Sequence, residues 1–570
     1  MLQVSLRFAF VVLALVVCVV PLRAQRIPSD PLATPANNRP ALSQSEFDGW
    51  FVAGSAKVDG LVNPANSLTV LQPNFDFYKW SEQMFLWINS PLPDGTGNRV
   101  FNSPTFFDIS PPAADGSRTF MPHGNGPALL AVRAAQAGPH DLPVILDARG
   151  HMLEVEPSTS DFKTNLKIQS TSGKLFQIEH AKINASGKLM LFDDKGAQEQ
   201  PKSAPSPAKT NIPLRVHEIV VDQVPIFVDQ AGNIVNVEQG QAGDNGVLVS
   251  QKNSLIYYET FVNDVFTYYL TGVADKQINS DKFPTSQTEL DQVKAFAAKT
   301  NKAFADANAL TVEVKAAWVE ASEVSNPKDY ITTTAVIPTY DTTSDKAKWT
   351  VTGTKSATLA LVGMHVVGSV AGHPEMVWAT FEHVGNAPDA GYSYVNAQGK
   401  TVAVAQDTSG SWLFCAPNAK GPFNTLRNRM TAGSIIANPR ANAKSIGPSD
   451  VLRWRAWGAS STVAPNPITS SAASNSEIIL INNEVLGMLP AGDVRKNYIF
   501  KGATWTFGGL PTDSNQVGTS GLTNTTMETY QQGNDSTAGI EENCFACHGA
   551  DGDNLNETSH IFKKTKPLFP

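Results

Sequence analysis

The residues with the most pointed chemistry are Cys544-Phe545-Ala546-Cys547-His548, a CxxCH run near the C-terminus. Two cysteines three apart can each add to one vinyl group of a single porphyrin, and the adjacent histidine is then held under the ring as an axial iron ligand. Cys544 and Cys547 are therefore the expected attachment points for one covalent haem c, with His548 as its proximal ligand. Cysteine is scarce here, at four in 570 residues, so abundance does not generate the spacing. A structural zinc site is the competing reading. Adjacent Cys547 and His548 suit tetrahedral zinc poorly, and only Cys415 remains as a further mature thiolate.

A haem iron has a sixth position. The stretch after His548 contains no methionine, so a distal Met or His has to be His560 or come from upstream. Met527 in NTTMETY stands first as a metal ligand, because the polar, glycine-containing stretch QQGNDSTAGIEEN joins it to Cys544 and is long enough to fold back over a ring. His123, His365, His373 and His383 are open too. The tail that carries His560 has little apolar sequence to hold it against a porphyrin. Each candidate also has a plainer reading: Met527 as core, His373 as a turn residue, His365 and His383 as satisfied strand histidines. A strong-field sixth ligand favours electron transfer, whereas an open position admits peroxide, oxygen or another small ligand. Glu313, Lys315, His365, Glu382 and His383 punctuate apolar strands, and could supply a distal acid or base or form a buried ion-pair network.

These residues need elements to position them. LTVEVKAAWVEA (310–321) alternates Leu310, Val312, Val314, Ala316 and Trp318 with Thr311, Glu313 and Lys315, which predicts a strand with one core face and one polar face. TLALVGMHVVGSV (358–370) and EMVWATFEHV (375–384) flank the turn-like Ala371-Gly372-His373-Pro374 and predict a hairpin. Phe77, Trp80, Met84 and Trp87 have helical spacing before the stop Asn89-Ser90-Pro91. Phe261, Val262, Val265, Phe266, Tyr269 and Leu270 predict a second helix, and the capping box Ser286-Gln287-Thr288-Glu289 opens a third. PVILDARGHMLEVE (143–156), LMLFDDKGAQEQ (189–200) and PIFVDQAGNIVNVE (225–238) read as hairpins turning at Gly150, Gly196 and Gly232. Stretches 457–476 and 506–540 are rich in small and polar residues and read as loops.

The N-terminus has Arg7, an apolar run from Phe8 to Val20 and Pro21-Leu22-Arg23-Ala24, which is the pattern of a cleaved export signal. Cys18 leaves with it, and Cys415 is expected as a buried thiol. Export suits covalent haem, so the periplasm is the expected compartment. The net charge of −8 argues against nucleic acid as a partner. It leaves a redox partner protein or a small-molecule electron donor or acceptor. We read the chain as a signal at 1–24, a mixed helix and hairpin region at 25–160 and a β-hairpin-rich insertion at 161–250. Helices with a central sheet follow at 251–456, then an irregular haem-bearing region at 457–570. The expected fold class is α+β, strand-dominated with peripheral helices and no membrane span after signal cleavage.

The segments VEVKAAWVEA (312–321), GMHVVGSV (363–370), MVWATFEHVGNAP (376–388), NTTMETY (524–530) and CFACH (544–548), in this order, resemble those of exported bacterial cytochrome c family proteins with a single C-terminal CxxCH. The resemblance spans most of the mature chain and implies a covalent haem and an exported location, without a defined reaction. The function expected is electron transfer in the cell envelope by a mono-haem cytochrome. The alternatives are a haem oxidoreductase of peroxidase or oxygenase type, and a binding or sensor protein in which haem is a structural clamp.

Overall fold

The computed structural model describes residues 27–569 except 33–41, 71–74, 111–116, 124–129, 131–143, 147–151, 157–166, 184–188, 204–213, 222–223, 236–245, 408–409, 432–433, 439–440, 459–470, 510–515, 520, 531, 533–543 and 550–553. The export signal, the Gly150 turn and most of the linker between Met527 and Cys544 lie outside the described residues.

The fold is α+β and strand-dominated, organised on an 11-stranded sheet. We number its strands β1 (Phe106–Ile109), β2 (Phe120–Pro122), β3 (Tyr257–Asn263), β4 (Val312–Glu320), β5 (Thr332–Asp341), β6 (Lys348–Val370), β7 (His373–His383), β8 (Asn428–Thr431), β9 (Ser434–Ala437), β10 (Tyr498–Thr506) and β11 (Gln516–Gly518). The main order is β2-β1-β3-β4-β6-β7-β10-β11, with β5 and β9 paired to the first part of β6. Neighbours are antiparallel throughout this path. The expected β6–β7 hairpin forms, and Gly372 takes φ 78° in its turn, a conformation open to glycine.

One face of this sheet is dry. Helices α1 (Gln44–Trp50), α2 (Phe75–Ile88) and α5 (Ser471–Met488) pack Phe47, Trp50, Trp80, Met84, Phe85, Ile478 and Ile481 onto Val314, Val366, Ala379, Phe381 and Phe500. The other face carries helices α3 (Asp264–Ala274) and α4 (Gln287–Ala298) at one end, and the C-terminal segments over its centre. The β-rich insertion runs from Val144 to Val235, earlier than expected, as a five-stranded and a three-stranded sheet with a small two-stranded ladder. Its hairpin turns at Gly196 and Gly232 take φ 72° and 80°.

Three local readings change. The helix expected from Phe261 begins at Asp264, because Phe261 and Val262 finish strand β3 and Asn263 caps α3 through its side chain, which accepts from the Phe266 N–H. A strand buried on both faces lacks alternation, so an apolar run does not distinguish it from a helix. The loop expected at 457–476 ends at Ser471, where α5 starts. Its small polar side chains let the helix approach an edge strand: Asn475 donates to the Ser393 carbonyl (2.8 Å) and Ser476 to the Val395 carbonyl (2.9 Å). Within 506–540, Gln516–Gly518 forms β11, and most of 522–530 is buried. By contrast the capping box at Ser286 and Glu289 forms as expected and starts α4.

Candidate functional site

Strand register puts the polar residues of β4 and β6 side by side. Lys315 stands opposite His365, and His365 opposite Thr380, giving one row across β4, β6 and β7. One step along, Glu313, Val367 and Trp378 form the next row on the same face. The polar row lies between two apolar clusters. One contains Val262, Val367, Trp378, Phe545 and Ile561, and the other Tyr258, Ala317, Val362 and Met527.

Residues 524–528 press down on this face. The Asn524 side-chain amide donates to Thr380 Oγ1 (2.8 Å) and to the Phe381 carbonyl (3.0 Å). Gly363 permits the approach, since a Cβ there would stand 2.3 Å from Thr526 Oγ1. Glu528 accepts from His365 Nε2 (2.9 Å) and from the Asn524 N–H (2.8 Å). Burial works to raise the Glu528 carboxyl, but the charge and hydrogen bond of His365 hold it below its ordinary value. Glu313 accepts from the Ser559 hydroxyl (2.6 Å), and burial pushes it up to about 7 against the opposing pull of Ser559, Lys315 and Arg118.

The CFAC stretch forms a single helical turn, Cys544–Cys547, and the His548 N–H continues it by donating to the Cys544 carbonyl (2.8 Å). Positions three apart on a helix share a face, so the backbone sets both attachment positions on one side. Phe545 is fully buried and meets Trp378 edge to face at 5.9 Å. His548 Nδ1 lies 2.9 Å from the Thr558 carbonyl. A carbonyl only accepts, so Nδ1 carries the proton and Nε2 keeps the lone pair. Burial first, then neighbouring His560, hold His548 well below its ordinary value, so the ring is neutral at pH 7. An iron-binding histidine needs this tautomer, with its second nitrogen anchored on a backbone carbonyl. The porphyrin itself supplies four iron ligands and asks one or two of the protein. The residue types and placement of Cys544 and His548 therefore fit a c-type haem; the Cys547 side chain lies outside the described residues.

The expectation that the tail is weakly held is corrected. Ile561 is buried, Phe562 packs on Phe266, Tyr269 and Phe283, and Phe569 on Tyr268. These few apolar residues suffice because α3 and Phe283 offer them an aromatic surface. His560 is thereby brought to His548, the two rings stacked 3.9 Å apart and 10° from parallel. Met527 is fully buried in the second apolar cluster, away from the one that contains Phe545. The remaining histidines have engaged nitrogens: His123 with Asp108 (2.5 Å), His365 with Glu528, and His373 with Glu375 (2.8 Å). His383 uses both, donating to the Asp329 carbonyl (3.2 Å) and accepting from the Gly385 N–H (3.1 Å). It also stacks on Tyr330 at 3.8 Å, and burial lowers it to about 3, so it is a satisfied strand histidine.

Glu382 likewise separates from Glu313, Lys315 and His365. It accepts from Arg453 Nε (3.1 Å) and Nη2 (2.9 Å) and from the Thr525 N–H (2.9 Å), while Arg453 also reaches Asp389 (2.8 Å). Burial acts to raise Glu382, and Arg453 with Lys501 and Thr525 more than offsets it. Cys415 is a buried free thiol, as expected, with its pKa raised by burial to about 12.

Sequence reasoning missed Trp378, Glu528, Thr558 and Arg453 as members of these clusters. Only Arg453 left a signal, as a charge inside the apolar run VLRWRAW. No protein-family model, curated protein or solved structure matches this chain. Among the described residues no helix is long and apolar enough to cross a membrane.

Proposed function

We propose that the chain is an exported, single-haem c-type cytochrome that transfers electrons in the cell envelope, in keeping with its resemblance to exported cytochrome c family proteins. The observation that carries this reading is the CFACH turn, whose histidine is neutral, anchored through Nδ1 and left with its lone pair on Nε2. Cys544 and Cys547 would hold the haem through thioethers and His548 would ligate its iron. The bound group supplies one-electron Fe(III)/Fe(II) chemistry. Phe545 seats the turn on Trp378, and the Thr558 carbonyl holds the proton of His548 at Nδ1. The partner is a redox protein or a small electron donor or acceptor.

A second reading is a haem oxidoreductase with an open iron site. It is favoured by the partly exposed group of Glu313, Lys315 and His365, from two adjacent rows of one face, which sits beside the His548 segment. Glu313, at about 7, can hold or release a proton at neutral pH, and Glu528 fixes the orientation of His365.

Periplasmic expression with a haem-maturation system tests both readings. The chain should gain the mass of one haem and keep it through acid-acetone extraction, and Cys544→Ala or Cys547→Ala should abolish the double thioether. A chain of unmodified mass rejects the cytochrome reading. The long-wavelength charge-transfer band of Met-ligated ferric haem, lost in Met527→Ala, would identify Met527 as the sixth ligand. A high-spin spectrum with ready carbon monoxide binding, and turnover of peroxide with an electron donor, would favour the enzyme. Protein that no mediator reduces or reoxidises would instead favour haem as a clamp or sensor.

A further inference from the structure

The His548 ring is fixed by more than its hydrogen bond. Besides Thr558, it touches two rings, Trp378 at 4.2 Å and 46°, and His560 at 3.9 Å and 10°. The terminal torsion of a histidine is broad and roughly two-fold, so a single hydrogen bond does not by itself define the plane of the imidazole. Packing against two rings, one stacked and one tilted, does. Both neighbours are themselves held. Trp378 is 6% exposed, and its indole N–H donates to the Glu375 carbonyl (2.9 Å). His560 rides on a tail pinned by Ile561 and Phe562, and by backbone bonds from the Arg118 N–H to the Lys564 carbonyl (2.8 Å) and from the Lys566 N–H to the Arg118 carbonyl (2.9 Å).

We infer that Trp378 and His560 are positioning residues that lock the plane of the His548 imidazole, and that His560 is a proximal wall and not the sixth iron ligand. This rests on the haem reading above. A haem held by His548 would be bound through Nε2, an atom on the edge of the imidazole. His560 is stacked on the face of that ring, so it would stand beside His548 and not opposite its Nε2. His560 therefore acts through His548, as residues that orient a metal-binding histidine do.

Proton NMR of the ferric holo-protein reads this directly, because the spread of the haem methyl hyperfine shifts follows the orientation of the axial imidazole. Trp378→Ala and His560→Ala should each narrow that spread while intact mass still shows one haem per chain. Trp378→Phe and His560→Phe, which restore a ring face, should bring the spread back, and His560→Phe should keep the wild-type spin state. If the alanine variants do not accumulate, Trp378→Leu and His560→Leu replace them, since leucine fills volume without a ring face. An unchanged spread in the variants without a ring overturns the lock. A change of spin state in His560→Phe overturns the wall and makes His560 a ligand. Failure of the cytochrome reading itself would show separately, as wild-type chain without haem mass before any spectrum is taken.

Discussion

Two polar clusters share one face of the central sheet, and they differ in whether their chemistry is used up. Around Glu382 the carboxylate and Arg453 both keep 0% of their side chains exposed, and each is met by several partners. Around His365 and Glu528 the side chains keep 19% and 17%, and His548 nearby retains a nitrogen lone pair. A saturated, dry network holds structure, and an unsaturated, partly wet one is where a ligand can enter. The contrast teaches that ionisable residues on neighbouring strands of one sheet need not share a task.

The largest effect should come from breaking the dry cluster. Arg453→Ala leaves Glu382 buried without its cation and should reduce stability by about 3–5 kcal/mol in denaturant titration. Glu313→Gln, in the open cluster, should change it far less. A similar loss in both variants would erase the distinction.

Next is the glycine that lets 524–528 seat on both clusters. The Cβ of Gly363→Ala would meet Thr526 Oγ1 at 2.3 Å and Asn524 Oδ1 at 2.9 Å. We expect a loss of about 1–3 kcal/mol, as for overpacked sites. Hydrogen exchange should show the 524–530 amides opening first.

Glu313 and Glu382, one from each cluster, should also respond to pH with opposite sign, whereas Glu528 is lowered and follows Glu382. Glu313 is raised from 4.5 to about 7 in the folded chain, so the folded state binds the extra proton in that window. Its contribution is present below pH 4.5 and is lost as pH rises to about 7. Glu382 is lowered, so its contribution is present above pH 4.5 and is lost as pH falls through its folded value. His383, lowered to about 3, likewise loses stability as pH falls from 6.5, so the Glu313 slope has to be read as wild type minus Glu313→Gln. A difference that is flat between pH 4.5 and 7 would contradict the assignment.

The smallest effect concerns the weak point of the dry cluster. Lys501 Nζ is buried without a hydrogen-bond partner among the described residues, 4.6 Å over the Trp457 ring, and burial followed by Arg453 lowers it to about 7. Its folded value lies below 10.5, so the Lys501 contribution to stability should rise with pH from about 7 to 10.5, read as wild type minus Lys501→Met because the raised Cys415 thiol acts in the opposite direction above pH 9. Lys501→Met should remove that rise and be neutral or stabilising by about 1 kcal/mol at pH 7. Calorimetry across this range checks it.

The sequence by itself determined the CxxCH spacing, the capping box at Ser286, the β6–β7 hairpin and the strand carrying Glu313 and Lys315, because each depends on spacing within a few residues. Its limits are equally physical. Alternation showed that Glu313 and Lys315 share a face, but not that His365 would stand opposite Lys315, since register is set between strands. The tail of His560 looked too polar to dock, and it docks because α3 and Phe283 supply aromatic surface from elsewhere in the chain. Only the tertiary structure decided that Glu382 is consumed by Arg453 and His383 by Tyr330 and two backbone groups, while His548 is anchored through Nδ1 and keeps the lone pair of Nε2. Partners separated by tens to hundreds of residues leave no periodic trace, so saturation of a polar group is a property of the fold and not of its neighbours in sequence.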